Sequence, residues 1–79
     1  MFTINDFRTV LAELDLFFDE LLTDNTKIFI DMEIDSIELV GIICYLEENY
    51  NAIFSEEDIV FDEEMTVGDF LDLINNRTQ

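Results

Sequence analysis

Apolar residues recur along this chain mostly at helical spacing. Ile4, Phe7, Val10, Leu11 and Leu14 fall on one face, with Thr3 and Asp6 spaced as a capping box ahead of them. Periodicity alone can carry this first helix on through Phe18, Leu21 and Leu22, before Thr23-Asp24-Asn25-Thr26 supplies a turn. The pattern predicts a second helix from about Ser36 to Tyr50. There Asp35 and Glu38 have cap and N3 spacing, and Val40, Ile43, Leu46 and Tyr50 share a face. Ser55-Glu56-Glu57-Asp58 reads as the capped start of a short third helix anchored by Ile59 and Phe61. Thr66-Val67-Gly68-Asp69 repeats the cap spacing before a last helix, whose stripe is Val67, Phe70, Leu71 and Ile74 and whose end falls at Asn75 and Asn76. Lys27-Ile28-Phe29-Ile30 is apolar and β-branched enough for a strand. It is short and has no partner, so a loop tucked under the core is expected instead. The sum is an all-α bundle of three longer helices and one short one.

Composition changes the picture in two ways. Proline is absent and there are only two glycines, Gly41 and Gly68, so nothing divides the 79 residues and one small domain is expected. Charge is the second. Twenty acidic residues face three basic ones, Arg8, Lys27 and Arg77, for a net −17, yet 49% of the chain is hydrophobic, unlike a disordered acidic tail. Such a balance argues against nucleic acid and anionic membranes as partners, since both call for basic groups. No histidine is present, which removes an imidazole base, a Ser-His-Asp triad and a His-rich metal site. Cys44 is the only cysteine and sits between Ile43 and Tyr45, where a buried, inert thiol is expected. With no long apolar run and no signal-peptide pattern at the N-terminus, a soluble, cytoplasmic and monomeric protein is expected, and an independent enzyme is not.

The chemistry-bearing clusters mostly dissolve on inspection. Glu47-Glu48, Glu56-Glu57-Asp58 and Asp62-Glu63-Glu64 are solvated faces rather than acid/base pairs, because nothing marks a pocket. Asp31-Met32-Glu33-Ile34-Asp35 mimics the start of a calcium loop, but Ser36 and Ile42 stand where glycine and glutamate are needed. No dedicated metal site follows, only loose attraction of divalent ions to clustered carboxylates. The eight phenylalanines lack interleaved basic residues and read as core, not as a base-stacking platform. One segment remains. Asp35 can cap the second helix while Ser36 occupies its first turn, which places a hydroxyl at the positive end of the helix dipole beside spare backbone N–H groups. That setting suits a phosphodiester on the hydroxyl.

These residues resemble the acyl carrier protein family, whose members carry D-S-L or D-S-I at the start of the second helix of a small acidic bundle. Asp35-Ser36-Ile37 matches that motif, and Leu46-Glu47-Glu48-Asn49-Tyr50 looks like the L-E-E-x-F end of the same helix. Ser55-Glu56-Glu57-Asp58 resembles the third-helix cap, and Thr66-Val67-Gly68-Asp69 the T-V-x-D opening of the fourth. The resemblance covers nearly the whole chain and implies a four-helix carrier domain over residues 1–79, with 4′-phosphopantetheine esterified on Ser36 by a separate phosphopantetheinyl transferase. It implies acyl cargo held as a thioester and presented to basic-surfaced partners such as ketosynthases or adenylating ligases. Glu38, Glu47 and Glu48 would face those partners, and Ile37 and Val40 would give the interface an apolar centre. It also shortens the first helix to about residues 4–15 and turns residues 17–34 into a long loop with its aromatics inward.

Two positions depart from the family pattern. Glu33 stands where the family usually has a glycine, which bears on the turn into Ser36 and on the fit to a generic transferase. Gly41 occupies a mid-helix position that is often acidic in fatty-acid carriers, at a cost of up to ~1 kcal/mol of helix propensity. With Leu39 and Tyr45 nearby, this points to a dedicated lipid or polyketide-type pathway. Two alternatives stay open: a peptidyl or aminoacyl carrier, which shares D-S-I, and an acidic protein-binding module that needs no cofactor.

Overall fold

Local chemistry sets three helix starts. In the computed structural model, which describes residues 1–16, 18, 21–55, 58 and 62–77, the chain forms α1 (Ile4–Glu13), α2 (Ser36–Asn49) and α3 (Val67–Arg77). Each opens with a reciprocal capping box. Asp6 N–H donates to Thr3 Oγ1 and Thr3 N–H to Asp6 Oδ2, while Glu38 N–H donates to Asp35 Oδ1 at 2.7 Å and Asp35 N–H to Glu38 Oε1 at 3.1 Å. Thr66 and Asp69 exchange the same pair of bonds. A cap of this kind contributes ~1 kcal/mol. Among the described residues there are three helices and no strand. The short helix expected from Ser55 to Phe61 falls largely outside them, with only Ser55 and Asp58 described.

The first helix stops well before its periodicity does. Leu16 N–H reaches back to Leu11 C=O at 2.8 Å and Asp15 N–H to Ala12 C=O at 3.2 Å, the double bond of a Schellman ending, with Asp15 left-handed at φ 58°. Leu14, the C-cap, and Phe18 pack on the core from outside the helix, and for Phe18 this is the inward aromatic expected of the long loop. Phe17 lies outside the described residues. α2 ends similarly on Asn51 at φ 57°, a conformation asparagine tolerates well.

One core is shared by all three helices. Phe7, Val10 and Leu11 of α1 meet Leu39, Ile42, Ile43 and Leu46 of α2 and Val67, Phe70, Leu71 and Ile74 of α3. The Phe7 and Phe70 rings cross edge-on, their centroids 5.7 Å apart. The segment 27–34 is a loop tucked beneath them. Ile28, Met32 and Ile34 are buried, and Ile34 N–H closes the turn on Ile28 C=O at 3.3 Å. Burying a side chain the size of Ile28 contributes about 2 kcal/mol. That loop is anchored to α3 through a single antiparallel bridge between Lys27 and Thr66. Asn75 does not end α3 but pins the N-terminal segment to it: Phe2 N–H donates to Asn75 Oδ1 at 2.7 Å, and Asn75 Nδ2 donates to Phe2 C=O at 3.1 Å.

The face of α2 differs from the expected one. Its buried stripe is Leu39, Ile42, Ile43 and Leu46, so the helix is rotated relative to a stripe through Val40 and Tyr50. Val40 is thereby turned to the surface. Cys44 goes with it, and the buried thiol expected from its apolar neighbours is instead exposed. The reason is tertiary: an apolar helix with few polar positions does not specify which of its faces the loop 27–34 will cover.

Candidate functional site

The segment leading into α2 sets where Ser36 stands. Glu33 holds φ 55°, a left-handed conformation that glycine adopts freely and a glutamate adopts at a cost of roughly 1–2 kcal/mol. The turn is thus made at the position where the carrier pattern has glycine, despite the side chain. Asp31 closes the preceding turn, accepting from Lys27 N–H at 2.9 Å, and Ile34 inserts into the core. The chain then reaches Asp35, which caps α2 with Ser36 as its first residue.

Two N-termini show what is left open there. At α3 the first amides are plugged: Val67 N–H donates to Thr26 C=O at 2.8 Å and Gly68 N–H to Asp24 C=O at 2.9 Å. At α2, no described residue accepts from the Ser36 or Ile37 N–H, and both residues are exposed. α1 also leaves its first two amides without a described acceptor, but Ile4 and Asn5 offer no hydroxyl there. Among the described helix starts α1 also has a hydroxyl, Thr3 Oγ1 at its cap, but that group is bonded to Asp6 Oδ2 at 3.1 Å. The Ser36 hydroxyl of α2 has no such bond and stands with two free amides at the positive end of a helix dipole, a donor set that can receive a phosphate oxygen.

Around Ser36 the outward face of α2 carries Ile37, 80% exposed, then Val40, 42% exposed, then Gly41 and Cys44. Glu47 and Glu48 stand at its far end. Glu38 is not on this face. It is half-buried, spends a carboxylate oxygen on the Asp35 N–H, and lines a cavity of about 240 Å³ on the opposite side with Leu11, Met32 and Ile34. That cavity is smaller than the ~300–1,000 Å³ pockets that usually enclose small ligands. A larger one, about 340 Å³, lies beside Phe2, Asp6 and Tyr50, away from Ser36. Among the described residues no three acidic or cysteine side chains are grouped to hold a metal ion, and no helix is long and apolar enough to cross a membrane.

Electrostatics separate the two ends of α2. The helix contains no basic residue, and Glu47 and Glu48 sit in its last turn, at the negative end of the dipole. Each is unfavourable there by about 0.3–1 kcal/mol, offset in part where Glu47 accepts from Phe54 N–H at 3.4 Å. Two of the three cations are used elsewhere. Lys27 pairs with Glu64 at 2.8 Å, which raises the lysine's pKa, and Arg77 grips Asp58 in a bidentate pair at 2.6 and 2.7 Å. The guanidinium hydrogen bond, helped by the Ser55 N–H, holds the Asp58 carboxyl far below the usual carboxylate range.

No family model, curated protein or solved structure matches the chain. Of the residues that the sequence singled out, Ser36, Ile37, Val40, Glu47 and Glu48 line or border one exposed face of α2, while Asp35 caps the helix and Glu38 turns to the cavity. The exposure of Cys44 was not expected, although Ile37, Val40 and Cys44 lie at i, i+3 and i+7.

Proposed function

We propose that this chain is an acyl carrier protein, modified on Ser36 with 4′-phosphopantetheine. The observation that carries the reading is the open start of α2: a helix capped by Asp35, with an exposed serine as its first residue beside two amides that no described residue uses. When attached, the arm's terminal thiol holds the acyl group as a thioester and swings it between enzymes. The chain's own residues do the rest. Ser36 Oγ is the attachment point, and the Ser36 and Ile37 amides with the helix dipole receive the phosphodiester charge. Glu33 makes the turn and Asp35 the cap that bring Ser36 to the first position of α2. In this reading the phosphopantetheinyl transferase activates the Ser36 hydroxyl, and among the described residues no side chain is hydrogen-bonded to it.

In this reading residues 1–79 form one monomeric, cytoplasmic carrier domain, with a short third helix following Ser55 that completes a four-helix bundle. Ile37 and Val40, with Glu47 and Glu48, dock loading and transfer enzymes such as ketosynthases or adenylating ligases through basic surfaces, favouring fast and weak encounter. Acyl cargo of a dedicated lipid or polyketide-type pathway fits the acidity better than aminoacyl cargo. Incubation with coenzyme A and a permissive transferase is expected to add one phosphopantetheine mass to the wild type and none to Ser36→Ala. An unmodified wild type, or a modified Ser36→Ala, would overturn the assignment or the site. An acidic binding module without cofactor would instead keep all its partner binding in Ser36→Ala.

A further inference from the structure

At the opposite end of α2 from Ser36 lies a cavity whose lining the carrier reading does not use. It opens where the start of α1, the end of α2 and α3 come together, about 340 Å³ in volume, and is bounded by Met1, Phe2, Asp6, Tyr50 and Asn75. That is within the size range of small-molecule pockets. Ser36 is the first residue of α2 and Tyr50 its C-cap, so roughly 20 Å of helix separates the two places. The Phe2 and Tyr50 rings meet edge-to-face with centroids 5.2 Å apart, and the Tyr45 ring lies 6.4 Å from Tyr50. Asn75 spends its amide on the Phe2 backbone. Asp6 keeps capacity: both bonds it accepts from Thr3 go to Oδ2, at 2.8 and 3.1 Å, and no described residue donates to Oδ1.

The charge balance decides what can enter. No Lys or Arg lines the cavity and no described cation pairs with Asp6, while Lys27 and Arg77 are held by Glu64 and Asp58. Burial pushes the Tyr50 phenol above its ordinary pKa, and Tyr45, Asp6 and Glu13 push it further, so the field at that ring is negative. An anion is repelled there. A divalent metal ion takes about six oxygen ligands, and among the described residues no three acidic side chains are grouped to hold one. A wholly apolar molecule would leave the Asp6 carboxylate desolvated without a partner. A further cavity of about 430 Å³ shows the contrast: Asp24, Asp69 and Asp72 line it but no aromatic ring does, so it offers charge without an aromatic wall. We propose that the cavity between Asp6 and Tyr50 binds a primary alkylammonium ion, whose N–H groups donate to Asp6 Oδ1 and whose carbon chain lies against the Phe2 and Tyr50 rings. The ring quadrupole adds to the attraction of the carboxylate for such a cation. The site stands independently of the acyl-carrier reading.

Butylammonium chloride titrated into the ¹⁵N-labelled protein tests this, with sodium chloride at matched ionic strength as the reference. Amide shifts beyond those of sodium chloride are expected at Phe2, Asp6 and Tyr50 and at the Asn75 side-chain amide. Asp6→Asn keeps an oxygen for the Thr3 N–H, so it should retain a cooperative melt while the dissociation constant rises about tenfold. Asp72→Asn removes the same charge from the other cavity and should bind as wild type does. Tyr50→Leu should weaken binding about threefold, and Tyr50→Phe, which keeps the ring, should not. Shifts that sodium chloride reproduces, or that centre on Asp24, Asp69 and Asp72, would overturn the site. An equal loss in Asp6→Asn and Asp72→Asn would overturn it too, since net charge alone would then explain the binding.

Discussion

α2 and α3 begin with the same cap and are finished in opposite ways. Both have an acid at N3 returning a bond to the cap, Glu38 to Asp35 and Asp69 to Thr66. Beyond that the start of α3 is sealed, with Val67 fully buried, its amide and that of Gly68 taken by the 24–26 turn, and Gly68 pressed against Asp24. The start of α2 is left exposed, with a hydroxyl and an isoleucine turned outward. At their far ends α3 has a cation in its last turn, Arg77, locked to Asp58, whereas α2 has two carboxylates and no cation. One helix is completed by its own fold. The other is left with electrostatics and surface that the described residues do not complete.

The contrast can be broken most strongly by placing a charge in the first turn of each helix, one residue past the cap in α3 and two past it in α2. Val67→Asp is expected to cost at least ~3 kcal/mol, because it leaves an unpaired carboxylate in the core, and a loss of the cooperative thermal transition would show it. Ile37→Asp should stay within about 0.5 kcal/mol of wild type. Cap removal sharpens the point at a smaller scale. Asp35→Ala and Thr66→Ala should each lose ~1 kcal/mol in denaturant melts, but only Asp35→Ala should also slow modification of Ser36. Equal transferase rates in the two variants would mean that the α2 start has no special role.

Smaller effects follow. Glu33→Gly should gain about 0.5 kcal/mol, since relief of the left-handed glutamate exceeds the extra chain entropy of glycine, and a melt that falls instead would show that the Glu33 side chain contributes contacts of its own. The smallest contrast concerns pH. Asp58 is depressed in the folded state, so its contribution is present in full above its unfolded value near 3.8 and is lost as pH falls towards the lower folded value. The melting difference between wild type and Asp58→Asn should therefore be constant from neutral pH down to about 4 and shrink below it. Because the pair is exposed on the arginine side, added salt should reduce the difference as well.

What the sequence made legible was whatever depends on neighbours three or four residues apart. All three capping boxes, the apolar stripes of α1 and α3, and the loop at Lys27–Ile30 follow from short-range spacing and appear as expected. The rotation of α2 did not follow, because Ile42, Ile43, Val40 and Leu39 are interchangeable by hydropathy and only the covering loop decides among them. Cys44 was misplaced for that reason. The stop after Glu13 was not visible in the spacing, since Asp15 gives weaker notice of a left-handed residue than glycine would, and only the family resemblance put it near residue 15. Within the candidate site, Ser36 and Asp35 were readable from motif and cap. Glu38 was readable only as an acid, and its occupation by the Asp35 amide and the cavity wall belongs to the folded chain.

The Asn75 clamp on Phe2 has a kinetic side. Its two hydrogen bonds join residues 73 positions apart, and the Phe2 ring they hold lies edge-on to Tyr50 at the end of α2. Bringing such distant positions together carries the largest loop-closure entropy of the contacts described, so the clamp is a late event on the folding path. On the ribosome the N-terminal strap has to wait for α3 to emerge before it can settle, and α2 spends that interval without its final neighbours.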